Sequence, residues 1–217
     1  MATDQPTIAS LANKAERLLR EYCDTTSRYA WPHYDIDNNP CCLSAVDLLA
    51  PALLSYPIPR KYIEQMLLAG PAEQYPAEVQ PYVRLGYALR AAICEETLAT
   101  NFSELDACSL RDNTTPGWGP ILRALEAVWA PGCSGLTSVA VTKILHRKLP
   151  NLVPVIDSKV KSFYRTEDAL ELIGLIHADA VANFDLLAKW SSRHRLPGGR
   201  QMTALRALDI VIWMSAK

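Results

Sequence analysis

Gly135-Leu136-Thr137-Ser138-Val139-Ala140-Val141-Thr142-Lys143-Ile144-Leu145 and, a short loop later, Pro154-Val155-Ile156-Asp157-Ser158-Lys159-Val160 decide how this chain reads. A glycine turn opens an apolar helix, and an extended apolar run then delivers one carboxylate to the start of the next helix. A turn feeding a helix leaves backbone N–H groups without intrahelical partners, an arrangement that suits phosphate. An acid held just beyond it is placed to act on whatever is bound. The segment therefore points to nucleic acid and to a reaction on a base.

Outward from this segment the apolar period is helical, with few strand signals. Ile8, Leu11, Ala15, Leu18, Leu19 and Tyr22 form one stripe, with Thr7 as the expected N-cap. Residues 28–42 read as irregular. Ser44 should cap a short helix, and a second follows through Ile63 and Met66. A longer amphipathic helix is expected from Pro81 to Leu98, another from Ile121 to Trp129, and one capped by Thr166 that runs on towards Trp190. Leu205, Leu208, Val211, Ile212 and Trp213 mark the last, after the Pro197-Gly198-Gly199 break. Trp118 and Trp129 read as core aromatics. The expectation is an all-α, two-lobed unit over 1–217 of eight to ten short helices. Its sub-lobes would be 1–112 and 113–217, with the first or last helices shared.

At 217 residues, 49% hydrophobic and 21% charged, the chain can bury a sizeable core and is too apolar for extensive disorder. Met1 to Pro6 show no secretory signal, and no apolar run approaches the roughly 20 residues of a membrane span. Six cysteines without CxxC spacing read as reduced, mostly buried thiols of a cytoplasmic protein. The net charge of −1 disfavours a dedicated nucleic-acid binder, but its distribution is uneven. Between Thr142 and Arg165 stand Lys143, Arg147, Lys148, Lys159, Lys161 and Arg165 against Asp157 alone; elsewhere 16 cations face 22 anions. Either this is a local phosphate footprint, or the cations occupy the last turn of one helix and the open face of the next.

The pattern from Gly135 through Val160 resembles the helix-hairpin-helix element of the helix-hairpin-helix–Gly/Pro/Asp DNA glycosylases, the endonuclease III-like superfamily. Gly135 matches the first hairpin glycine, Leu136 the apolar tip, and Asp157-Ser158-Lys159-Val160 the catalytic acid and its tail. The chain also looks like a bacterial family related to that fold, in which Lys143-Ile144-Leu145-His146, Pro150, Pro154 and Asp157 recur with a terminal Leu205-Arg206-x-Leu208-Asp209 helix. The resemblance implies a DNA-glycosylase-like all-α fold. It also implies backbone contacts through Gly135, Thr137, Ser138, Lys143, Arg147, Lys159 and Lys161, and catalysis by Asp157. Thr137 departs from the second hairpin glycine, and Val139 stands where lyase-competent members carry the Schiff-base lysine. A valine cannot form an imine, so the implied activity is monofunctional base release without a lyase step. No iron–sulfur cysteine cluster follows the acid, since the last cysteine is Cys133.

Asp157 before Ser-Lys-Val-Lys is equally a conventional N-cap, and capping is compatible with catalysis. Tyr29, Trp31, His33 and Tyr34 form an aromatic loop that could line a pocket or stack on a base; the simpler reading is a lid on the core. His33 with Asp35 and Asp37 is too thin a ligand set for a metal, and no cofactor fingerprint is present. Arg206 and Asp209, three apart among apolar neighbours, read as a structural ion pair.

Three functions stay open. One is a DNA- or RNA-directed base-releasing protein. Another is a metabolic or biosynthetic enzyme that uses the fold on a small anionic metabolite or a charged transfer RNA. The last is a noncatalytic interaction domain.

Overall fold

The helical periodicity becomes twelve α-helices and five 3-10 helices in the computed structural model, which describes residues 6–24, 26, 32–35, 41–197 and 199–216. Of residues 32, 33, 95 and 96 only the backbone is described. The α-helices are α1 (Ala12–Cys23), α2 (Pro32–Asp35), α3 (Ala45–Leu49), α4 (Arg60–Met66), α5 (Gln80–Ala92) and α6 (Glu95–Ala99). They continue as α7 (Gly119–Trp129), α8 (Ser138–Lys148), α9 (Ser158–Tyr164), α10 (Ala169–Ala182), α11 (Phe184–Arg193) and α12 (Ala204–Ser215). Among the described residues the only strand-like pairing is one isolated bridge between Arg195 and Gln201, so the fold is all-α. No described helix is long and apolar enough to cross a membrane.

The amphipathic stripe of α1 buries Ala15, Leu18, Leu19 and Tyr22, and that helix packs on α12. A Leu→Ala change at Leu19, fully buried, removes about 2–5 kcal/mol of packing and transfer free energy. Helix α5 lies against α4 and α7 at close range. Gly86 makes that possible, because a Cβ there would stand 2.0 Å from the Met66 carbonyl oxygen. Helices α8 and α12 are buried on nearly every face; Val141 through Lys148 and Leu205 through Ile212 are all inside. One apolar cluster includes residues from Ile8 to Met214.

Several local expectations are corrected. Thr7 makes no side-chain cap. The Ile8 N–H instead donates to Asp179 Oδ2 at 2.7 Å, and the Tyr164 hydroxyl donates to the same oxygen at 2.7 Å. The expected helix from Pro81 to Leu98 divides after Ala92, where Cys94 turns extended and precedes α6, its Sγ 3.0 Å from Thr97 Oγ1. Asp168 rather than Thr166 caps α10, accepting the Glu171 N–H at 2.7 Å. The helix expected to reach Trp190 breaks at Asn183, whose amide binds Asp179. Trp118 is core, with its indole N–H on the Leu110 carbonyl, but Trp129 is 41% exposed. Of the six cysteines only Cys133 is buried; Cys41, Cys42 and Cys108 are exposed, and all six are free thiols.

Candidate active site

The run Leu152–Ile156 is buried throughout, and the Ile156 N–H donates to Thr142 Oγ1 at 3.3 Å. This fixes the approach to α9. Asp157 follows with extended backbone and caps that helix, Oδ1 accepting the N–H groups of Lys159 and Val160 at 2.9 and 3.1 Å. Among the described residues Oδ2 receives no hydrogen bond. A cap that uses one oxygen leaves the other uncommitted.

Asp157 lines a pocket of about 370 Å³, counting its open mouth. Leu54, Val155, Ile210 and Trp213 form the apolar walls, while Tyr22, Ser55, Arg206 and Asp209 bring polar groups. Ser55 enters it with left-handed backbone (φ 61°), at the end of the 3-10 helix Ala50–Leu54. Such a conformation in a non-glycine residue needs support from its surroundings.

Behind the pocket lies a buried charge network centred on Arg206. Its Nη2 donates to the Tyr22 hydroxyl at 2.6 Å and to Asp35 Oδ2 at 3.2 Å, and Nη1 donates to Asp209 Oδ2. Nε faces Asp35 Oδ1 at 3.1 Å, and the guanidinium stacks over the rings of Tyr22 and Tyr34. Burial pushes the Asp209 carboxyl up to about 6, against the pull of Arg206 and with help from the negative charge of Asp157. Lys143 is pulled below the ordinary lysine range by burial, while Asp157 and Asp209 draw it back up. Its ammonium donates to the Leu54 carbonyl at 2.6 Å.

The basic window is therefore not a uniform surface patch. Arg147 is buried, with Nε donating to Asp47 Oδ1 at 2.9 Å and Nη1 to the Tyr34 carbonyl. Lys148 reaches the other Asp47 oxygen at 3.0 Å. Lys143 and Arg147 thus brace the interior rather than offering themselves to a phosphate. Lys159 is exposed with its ammonium 3.3 Å from the Ala216 carbonyl, and Lys161 pairs with Glu167 at 3.1 Å.

Gly135 has φ +82°, and a Cβ there would come within 3.1–3.2 Å of the Tyr62 ring and hydroxyl. The glycine is accounted for by that tyrosine, which stacks on Tyr82 at 4.4 Å. Thr137 is exposed, its hydroxyl 3.1 Å from the Tyr56 hydroxyl, and Ser138 is buried. The N–H groups of Ser138 and Val139 meet no acceptor among the described residues. The turn before α8 meets Tyr56 through Thr137, and the adjacent Leu54 and Ser55 line the pocket.

Tyr34, expected in an irregular loop, lies instead on α2, fully buried, and donates to the Lys143 carbonyl at 2.8 Å, so it braces the core. Tyr29, Trp31 and the His33 side chain lie outside the described residues. No three His, Cys, Asp or Glu side chains among the described residues converge on a metal position. Tyr22, Ser55, Asp209 and Trp213 are pocket residues that the sequence reading did not assign. Only Asp209 carried a signal, a carboxylate set among Leu205, Leu208 and Ile212.

Residues 88–216 match a family of unknown function (DUF6308), and the chain belongs to that family. The matched part contains Lys143, Asp157, Arg206 and Asp209; Tyr22, Asp35 and Ser55 precede it. No curated protein and no solved structure matches the chain.

Proposed function

We propose that this protein is a monofunctional N-glycosidic-bond hydrolase directed at nucleic acid, built on a helix-hairpin-helix scaffold like that of the DNA glycosylases. In this reading α7, the turn through Gly135 and α8 form the hairpin element. The observation that carries the proposal is Asp157, a helix cap with one uncommitted oxygen in a small pocket walled by apolar residues. A carboxylate so held stabilises the positive charge that develops on a sugar as its base departs, and it orients the attacking water. Low-polarity walls strengthen that field. Trp213, partly buried in the pocket wall, offers a face on which an extruded base stacks.

The free N–H groups at the start of α8, with Lys159 and Lys161, would hold the strand. Lys143 and Arg147 leave the contact set and become structural supports. Val139 offers no amine, so a lyase step is absent from the proposal.

The test is base release from duplex DNA, single-stranded DNA, an RNA hairpin and transfer RNA, with binding followed by fluorescence anisotropy across a salt series. Release from one of these, reduced about 10²–10⁴-fold in Asp157→Asn, supports the reading. Equal rates in the two proteins sink it.

The inward turn of Arg147 and Lys148 favours a second reading, in which the pocket takes a small anionic metabolite. That version predicts weak binding to all four nucleic acids, with little salt dependence.

A further inference from the structure

Asp157 is not the only carboxylate lining the pocket; Asp209, on α12, lines it as well. The two acids are held in opposite ways. Asp157 is partly exposed and takes two backbone N–H groups on Oδ1. Asp209 is 5% exposed, takes Arg206 on Oδ2, and has no hydrogen bond to Oδ1 among the described residues.

The charges facing Asp209 are Arg206 on its own helix, Asp35 from α2, Asp157 from the start of α9 and Lys143 from α8, with the neutral hydroxyls of Tyr22 and Tyr34. Asp209 thus shares its one hydrogen-bonded cation, Arg206, with Asp35 in a buried region. A carboxylate buried in this way, with one oxygen unbonded, is costly to keep charged, and a bound proton removes that cost. Asp157 receives two backbone N–H groups, whereas Asp209 receives only Arg206, on one oxygen.

We propose that Asp209 is a second catalytic acid of this pocket, holding a proton for the leaving base of an N-glycoside that departs poorly as an anion. The inference rests on the reading of Asp157 as the hydrolytic carboxylate, and it narrows the substrate to bases that need protonation. In the step, the bond from the sugar carbon to the base nitrogen breaks, and its electron pair stays with the base. The Asp209 proton goes to that base. Water adds its oxygen to the sugar carbon and passes a proton to Asp157, which returns it through solvent to Asp209. The balance is one water consumed, with one free sugar hydroxyl and one neutral base formed. Two carboxyl groups whose surroundings favour opposite protonation states are the usual division between base and acid. Burial that raises Asp209 to about 6 agrees with this assignment.

Two oligonucleotides test it on the full chain. One carries an unmodified purine at the target position. The other carries 7-methylguanine, a cationic base that leaves neutral without being handed a proton. Asp209→Asn should slow purine release about 10²–10⁴-fold and leave 7-methylguanine release within a few-fold. In the wild type, the purine rate should fall about tenfold per pH unit above about 6, while the 7-methylguanine rate does not.

The wild-type profile needs no folded variant, so it decides the matter even if Asp209→Asn is unstable. Equal losses on both bases with parallel pH profiles, while Asp157→Asn abolishes release, overturn the role of Asp209 alone. Release of neither base by the wild type overturns the acid together with the hydrolase reading beneath it.

Discussion

Two buried charge clusters sit on the two most enclosed helices, and among the described residues they are built in opposite ratios. On α8, Arg147 and Lys148 share one carboxylate, Asp47, which also accepts the Ser44 N–H and hydroxyl at 2.8 and 2.7 Å. On α12, one guanidinium, Arg206, serves two carboxylates, Asp35 and Asp209. Burial raises both Asp47 and Asp209, but the Ser44, Lys148 and Arg147 hydrogen bonds outweigh it at Asp47 and hold that acid low. At Asp209 burial prevails, and the carboxyl rises to about 6. An acid with surplus donors is locked as an anion and serves structure. An acid with too few donors retains a proton, and here it opens onto a pocket.

Breaking the first cluster should have the largest effect. Asp47→Ala removes the carboxylate that two buried cations share and should cost about 3–5 kcal/mol in urea unfolding. A loss below about 1 kcal/mol would mean that the cations re-pair elsewhere, and the ratio argument would fail. Arg206→Met should cost a similar amount at pH 8, but about 1–3 kcal/mol less at pH 5, because Asp209 can then take up a proton. A loss independent of pH would contradict the view that this cluster relieves itself by protonation.

Smaller changes sharpen the contrast. The folded state holds the Asp209 proton more tightly than the unfolded chain does. Its stabilising effect is therefore complete below about 4 and is lost as pH rises to about 6. Asp209→Asn should flatten that part of the stability profile, a difference of roughly 1–3 kcal/mol across the window. An unchanged slope would place the proton on another group.

His146 gives the opposite slope. Burial, then the positive charge of Arg206, hold its ring neutral down to about 3, against the bond from Nδ1 to the Val153 carbonyl at 2.6 Å. The unfolded chain protonates this residue first, so stability should fall as pH drops from 6.5 towards 3. In His146→Asn, whose amide can keep the Val153 contact, thermal unfolding should lose that acid dependence. Persistence of the full acid slope would assign it to other groups.

The helical class was legible because each amphipathic stripe is local: Ala15, Leu18, Leu19 and Tyr22 announce their buried side within about two turns. Asp157 as a helix start was legible for the same reason. What the cations of α8 do was not, since Arg147 meets Asp47 across 100 positions and Lys143 meets Leu54 across 89. A short cationic run reads as surface until its distant partners are known. The apolar residues on every side of α8, Ala140, Val141, Ile144 and Leu145, were the available hint that it lies inside. Gly135 was read as room for a phosphate, whereas the nearest atoms belong to Tyr62, a residue seventy-three positions earlier. The helical breaks at Cys94 and Asn183 were hidden because the apolar pattern continues through both.

Asp179 links parts of the chain that are far apart in sequence. One of its oxygens accepts both the Ile8 N–H, 171 positions away, and the Tyr164 hydroxyl. That amide is buried, at the first residue of the first 3-10 helix, where fraying would ordinarily make hydrogen exchange fast. Tethered to α10, it can exchange only when α10 and the end of α9 let go. A single backbone proton near the start of the chain is thereby a clock for the opening of its far third.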